Sequence, residues 1–174
     1  MMKDLEFLEH VIDQKSQMIL DANDRIWEYA ELAYHETRSA DLLCQILKDE
    51  GFSVTTGDAG IPTCFTGTFS YGSALSSLSQ KAASPRKEPV EAGAPGHGCG
   101  HSALGTGSLA AVLAVKEYLV ENKKDGTIIY FGCPAEEGAG SKQFMARALS
   151  LKASPPMPAV LPIWAAAPWT PRSS

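Results

Sequence analysis

Residues 102–132 read SALGTGSLAAVLAVKEYLVENKKDGTIIYFG and predict a helix followed by a buried strand. Residues 102–122 are predicted to form a helix, because one side of it carries a recurring set of small and apolar residues: Leu104, Ser108, Ala111, Val112, Val115 and Leu119. Asp125-Gly126 marks a turn. The nearly continuous apolar run 127–132 is typical of a strand buried on both faces, so the pair indicates a βαβ-type unit in a partly parallel sheet.

Further helices and strands are predicted on both sides of this unit. Residues 3–20 form a helix by their apolar spacing, and residues 21–24 offer a capping site at which a second helical face restarts. A third helix begins near Thr37 or Ser39 and ends at Gly51. Residues 52–56 and 64–71 are short strands, residues 72–96 are loop, and another helix begins at Ser141.

The last part of the chain, residues 149–174, has a different character. It holds six of the eleven prolines, two of the three tryptophans and no Asp or Glu. No period of a helix or a strand runs through it, so it is either a proline-rich tail or the product of a changed reading frame.

Composition excludes several classes of function. With 174 residues, 44% of them apolar and a net charge of −5, the chain suits one globular domain and lacks the basic surface that nucleic acid or an anionic membrane would need. No uninterrupted apolar run is long enough to span a bilayer, and the charged N-terminus does not look like a signal peptide. We therefore expect a cytoplasmic protein whose cysteines are free thiols, with Cys44, Cys64 and Cys133 in the core.

Ligand-type side chains are densest in Gly96-His97-Gly98-Cys99-Gly100-His101. Glycines let the backbone turn tightly enough to aim alternate side chains at one point, and thiolate and imidazole suit zinc and similar divalent ions. A glycine-rich turn with incidental histidines is the competing interpretation. A structural zinc site is disfavoured, because it would need a second pair of ligands.

A second candidate segment, Cys133-Pro134-Ala135-Glu136-Glu137-Gly138, closes the buried strand. Loops after the carboxyl ends of sheet strands are where open α/β sheets bind ligands. Two adjacent carboxylates there can divide the work, since one can hold a metal while the other acts as a general base. The competing interpretation is a solvated Glu-Glu pair.

Three segments together carry a family resemblance: GHGCGH at 96–101, GTGSLAAVLAV at 105–115 and TIIYFGCPAEEG at 127–138. From about residue 3 to about residue 147 the chain resembles the metal-dependent amidohydrolases, which include aminoacylases, carboxypeptidases and amino-acid conjugate hydrolases. Within them it is most like the branch of the p-aminobenzoyl-glutamate hydrolase B subunits. The resemblance implies a three-layer αβα, zinc-peptidase-like catalytic domain and the hydrolysis of a small amide or peptide-like substrate.

The resemblance also implies roles for individual residues. Cys99, His101 and Glu137 match the metal ligands, Glu136 matches the general base, and His97 matches a flanking histidine whose role stays open. Zinc or manganese is the implied metal, with two ions in the family and one or none here.

The chain departs from the family in ways that bear on activity. It lacks the inserted dimerisation or lid domain, so residues 1–148 are predicted to be a partial catalytic domain and residues 149–174 an atypical tail. The two further histidine ligands of the family have no counterpart, because the chain has only His10, His35, His97 and His101. We therefore expect a truncated chain with weak or absent hydrolysis. A non-catalytic remnant or a metal-binding module is the alternative.

A partial catalytic domain is expected to have an incomplete sheet. Strands without a neighbouring strand would leave unpaired edges and exposed apolar surface, which favour homo-oligomers or association through the sheet edges.

Overall fold

The structure is a computed structural model that describes residues 2–71, 75–76, 100–135, 140–152 and 163–166. Their helices and strands are, in chain order, α1 Met2–Tyr29, α2 Thr37–Asp49, β1 Ser53–Thr56, a 3₁₀ turn Asp58–Gly60, β2 Phe65–Tyr71, β3 Leu75–Ser76, α3 His101–Glu121, β4 Gly126–Cys133, α4 Ser141–Lys152 and β5 Ile163–Ala166. The predicted α/β class is confirmed, and α2, β1, β2, α3, β4 and α4 lie within a few residues of their predicted bounds.

The N-terminal helix corrects one prediction. A restart at residues 21–24 was expected, but α1 continues unbroken through them to Tyr29. Ala22 and Ile26 in this region are 2% and 5% exposed, so packing of the helix against the core outweighs the local capping signal.

β4 is the central strand of the sheet. The strand order is β1-β2-β4-β3, and β5 also pairs with β4. β4 is antiparallel to β2 and parallel to β3 and β5, so β3, α3 and β4 form the predicted βαβ unit in a partly parallel sheet. β3 lies in the stretch 72–96 that was predicted to be loop, and the rest of that stretch is outside the described residues.

Alternate side chains of β4 face two different layers of helices. Ile128 and Tyr130 belong to a core cluster with residues of α1, α2 and α3. Phe131 and Cys133 belong to a second cluster with Met145 of α4. Because successive side chains of a strand point to opposite faces, the sheet lies between helices on both sides, and the predicted three-layer arrangement is confirmed.

The buried side of α3 is wider than predicted. Ser108 and Val112 of the predicted side are buried, and so are Leu109 and Leu113 outside it. Leu104 and Leu119 of the predicted side are only partly buried. α3 contacts α1 as well as β2, β4 and β5, so it is covered over a wider arc than one apolar stripe. Its length and composition would also allow it to cross a membrane, a criterion that a core helix meets equally well.

Two described elements reach into the tail. α4 ends at Lys152, and β5 lies at Ile163–Ala166, where Tyr130 is opposite Ile163 and Cys133 is opposite Ala166. Part of the atypical segment therefore extends the sheet along the carboxyl half of β4.

Candidate metal centre

The carboxyl end of β4 leads into a turn that hydrogen bonds hold at its base. Ala135 is 2% exposed and has φ 54°, a left-handed conformation that is unusual for a residue with a Cβ atom. Its carbonyl accepts the N–H of Gly140 at 3.0 Å, and the Ser141 hydroxyl donates to the carbonyl of Pro134. The chain on either side of residues 136–139 is thus joined.

A buried carboxylate holds the same turn from another part of the chain. Oε1 of Glu36 accepts the N–H of Ala135 at 3.0 Å, and Oε2 accepts the hydroxyl of Thr63 at 3.4 Å. Glu36 is 3% exposed, and burial raises the pKa of its carboxyl although the hydrogen bonds from backbone N–H groups oppose that rise.

The start of α3 depends on a glycine. Gly100 occupies the N-cap position with φ 70° and ψ 29°, and its carbonyl accepts the N–H of Leu104 at 3.0 Å. A glycine adopts this left-handed conformation without steric cost, which explains its place between Cys99 and His101. His101 then begins the helix with only 2% of its surface exposed.

The topology brings the start of α3 and the end of β4 to the same edge of the sheet. α3 and β4 are joined by the short segment 122–125 and pack against each other, so the start of α3 lies at the edge where β4 has its carboxyl end. The Tyr130 hydroxyl donates to the carbonyl of Gly105 at 3.1 Å and links β4 to this end of α3. Burial raises the pKa of Tyr130, so its hydroxyl keeps the proton that it donates.

Of the predicted site residues, the structure describes His101. His97, Cys99, Glu136 and Glu137 lie outside the described residues. Within the described residues, no group of three or more His, Cys, Asp or Glu side chains could hold a metal ion. The described residues that adjoin the predicted ligands are Gly100 and His101 at the start of α3 and Ala135 after β4.

The donor types suit a divalent ion. Thiolate, imidazole and carboxylate from Cys99, His101 and Glu137 are the ligands that zinc takes in proteins, and three of them leave a position open for water. His101, the one of these three residues that the structure describes, is buried, so water has little access to its imidazole.

The three cysteines that the structure describes are core residues, as predicted. Cys44, Cys64 and Cys133 are free and buried. Burial raises the pKa of Cys44 to about 11 and that of Cys64 to about 12, so both remain neutral thiols rather than the thiolates that bind metals.

Glu36 is the residue of this region that the sequence did not predict. It is 99 residues from Ala135, its closest neighbours in the chain show no motif, and a carboxylate just before a helix is ordinarily interpreted as a cap. No signal in the local sequence distinguishes it from any other acidic residue just before a helix.

A family model for peptidase family M20/M25/M40 matches residues 79–166. The matched range contains His97, Cys99, His101, Glu136 and Glu137, and it extends through β5.

Individual proteins give similar results. The chain is 38% identical over 151 residues to the B subunit of p-aminobenzoyl-glutamate hydrolase from Escherichia coli (strain K12), and the match covers 81% of this chain and 31% of that protein. The crystal structure of a proposed aminohydrolase from methicillin-resistant Staphylococcus aureus matches with a TM-score of 0.61 at 23% identity, over 82% of this chain and 38% of that one. The second match shows a shared fold, and the chain spans about a third of the length of these two proteins.

Proposed function

This chain belongs to peptidase family M20/M25/M40, and from that we propose that its chemistry is metal-dependent hydrolysis of an amide bond. The observation that supports the proposal is that the start of α3, at Gly100 and His101, and the carboxyl end of β4, followed by Ala135, lie at the same edge of the sheet. In this proposal the chain supplies one half of such a site.

The proposed roles follow from the chemistry of the side chains. Cys99, His101 and Glu137 would hold a zinc or manganese ion, which when bound supplies Lewis acidity and makes a nearby water more acidic. Glu136 would accept a proton from the attacking water and deliver it to the nitrogen of the leaving amine. His97 would flank the ligands without a defined role.

The proposed substrate is a small amide with a free carboxylate, such as p-aminobenzoyl-glutamate or an N-acyl amino acid. The name of the Escherichia coli relative supports the first of these. Because the chain has four histidines and two of them lie in the first 35 residues, far from both motifs in sequence, we expect weak or absent turnover by this chain alone. Metal binding without turnover is the second candidate.

One experiment separates these candidates. Purified protein is loaded with zinc or manganese, its bound metal is measured, and hydrolysis of p-aminobenzoyl-glutamate is followed with and without EDTA. We expect Cys99→Ala to lose the metal, Cys44→Ala to retain it as a buried-thiol control, and Glu136→Gln to retain the metal while losing any turnover. Metal binding that is unchanged in Cys99→Ala would contradict the proposed site.

We also propose a cytoplasmic location and self-association. The free buried thiols among the described residues suit a reducing compartment, and large apolar side chains of α1, among them Leu5, Leu20 and Trp27, are exposed. Cell fractionation tests the first proposal. A concentration-independent monomer in sedimentation velocity would contradict the second.

A further inference from the structure

Glu36 is the one acidic side chain that is buried among the residues that the structure describes. It occupies the N-cap position of α2, yet its side chain makes no cap hydrogen bond to that helix. Glu31 does so instead, because its carboxylate accepts the N–H groups of Arg38 and Ser39, each at 2.9 Å. Capping therefore does not explain the burial of Glu36.

The contacts of Glu36 lie at the carboxyl end of β4. Its two oxygens accept hydrogen bonds from the Ala135 N–H and the Thr63 hydroxyl, and both of these residues are buried. Glu36 thereby connects the chain before α2 to the turn after β4, two regions that no backbone hydrogen bond of the sheet joins directly.

Stability alone is a poor reason for an acid at this position. The pKa of Glu36 is raised because the loss of hydration outweighs its hydrogen bonds, so the folded environment disfavours the charged form. A glutamine of the same shape could accept the Ala135 N–H without that cost. The side-chain oxygen at this position is therefore better explained by the Ala135 N–H that it holds in place than by its charge.

What it holds is a strained residue. The left-handed conformation of Ala135 is unfavourable for a residue with a Cβ atom and persists only where its surroundings fix it. Here Glu36 binds the N–H and Gly140 binds the carbonyl, so both ends of the residue are fixed. The next residues in the chain are Glu136 and Glu137.

We propose that Glu36 is a positioning residue, whose carboxylate fixes the Ala135 amide and thereby the end of β4 from which the chain continues to Glu136 and Glu137. The inference rests on the proposed function, because it assigns those two residues to the metal site. Supporting groups behind metal ligands commonly change metal affinity by about 10- to 100-fold when they are removed.

The test compares four proteins: wild type, Glu36→Ala, Glu36→Gln and Glu31→Ala. Glu31→Ala is the matched control, since it removes a carboxylate that holds the same helix but does not contact Ala135. Hydrogen exchange of the Gly140 amide is measured in the metal-free protein, and Co²⁺ affinity is measured by titration of the visible absorption.

We expect Glu36→Ala to speed exchange at Gly140 and to weaken Co²⁺ binding by about 10- to 100-fold. Glu36→Gln should restore both, and Glu31→Ala should change neither beyond its effect on global stability. If Glu36→Ala does not fold, Glu36→Asp, which keeps the charge but shortens the reach, should show the same losses.

Unchanged Gly140 exchange in Glu36→Ala, or equal loss of Co²⁺ affinity in Glu31→Ala, would overturn the inference. Wild-type protein that binds no Co²⁺ would contradict the proposed function instead. In that case the Gly140 exchange alone decides whether Glu36 holds the turn.

Discussion

β4 and the turn that follows it have opposite surroundings. Ile128 and Tyr130 pack among apolar side chains of α2 and α3, whereas Ala135 lies beside the buried polar groups of Glu36 and Ser141. Apolar packing has no preferred direction and mainly sets stability, while hydrogen bonds fix positions. The apolar packing of the strand therefore stabilises the fold, and the hydrogen bonds give the turn a fixed position.

The largest effect is expected in the apolar core that surrounds β4. Leu113 of α3 has none of its surface exposed, so Leu113→Ala should lower the free energy of unfolding by about 2–5 kcal/mol through lost burial and the cavity that remains. Urea denaturation measures this. Val120→Ala, on an exposed part of the same helix, is the control and should cost far less. Similar losses for the two variants would contradict the view that burial at Leu113 is what stabilises the fold.

A steric test addresses the carboxyl half of β4. A Cβ atom at Gly132 would come within 2.0 Å of the Phe65 ring, so Gly132→Ala should cost about 1–3 kcal/mol. At Gly67 the closest atom is a methyl group of Leu47 at 2.9 Å, which can rotate away, and Gly67→Ala should cost less.

Thermal or urea unfolding of both glycine variants checks the order. A loss at Gly67 as large as that at Gly132 would show that the rigid ring is not what limits the space. A larger loss at Gly132 would show that the polar turn follows a tightly packed end of β4.

The sequence predicted the apolar half of this comparison well. Residues 127–132 form an apolar run and α3 has helical spacing, and both signals arise from neighbours in the chain. The predicted side of α3 was too narrow, since Leu109 and Leu113 outside it are also buried, because α3 contacts both α1 and the sheet. The unbroken α1 was missed for the same reason.

The candidate site was predicted in part. The motif residues Cys99, His101, Glu136 and Glu137 stand out because ligand-type side chains cluster locally. Glu36 could not be found this way, since its partner Ala135 is 99 residues away and a backbone N–H is common to every residue except proline. Supporting residues of this kind are visible only once the fold has brought distant segments together.

A pH experiment tests the second, α4-facing cluster. Burial raises the pKa of Cys64 from 9.0 to about 12, so the unfolded chain loses this proton first. The contribution is fully present below pH 9 and is lost as the pH rises toward 12, with a decrease of about 1 kcal/mol expected between about pH 8 and pH 10.

Cys64→Ala should reduce this slope of stability against pH. Val112→Ala, which removes buried apolar surface but no titratable group, should lower stability equally at both pH values. An unchanged slope in Cys64→Ala would show that other groups cause the alkaline loss.

The smallest effect is expected on the exposed side of α3 and has the opposite sign. No atom lies within 4 Å of the position that a Cβ atom would take at Gly107, so Gly107→Ala should raise the free energy of unfolding by about 0.5–1 kcal/mol by restricting the unfolded chain. The same substitution at Gly126 should be destabilising, because its Cβ atom would lie 2.6 Å from Leu119. Since the two substitutions are chemically identical, opposite signs in urea denaturation would show that local space decides the outcome. A loss of stability at Gly107 would mean that this face of α3 is covered in solution, so that Gly107 and Gly126 would not differ in the space around them.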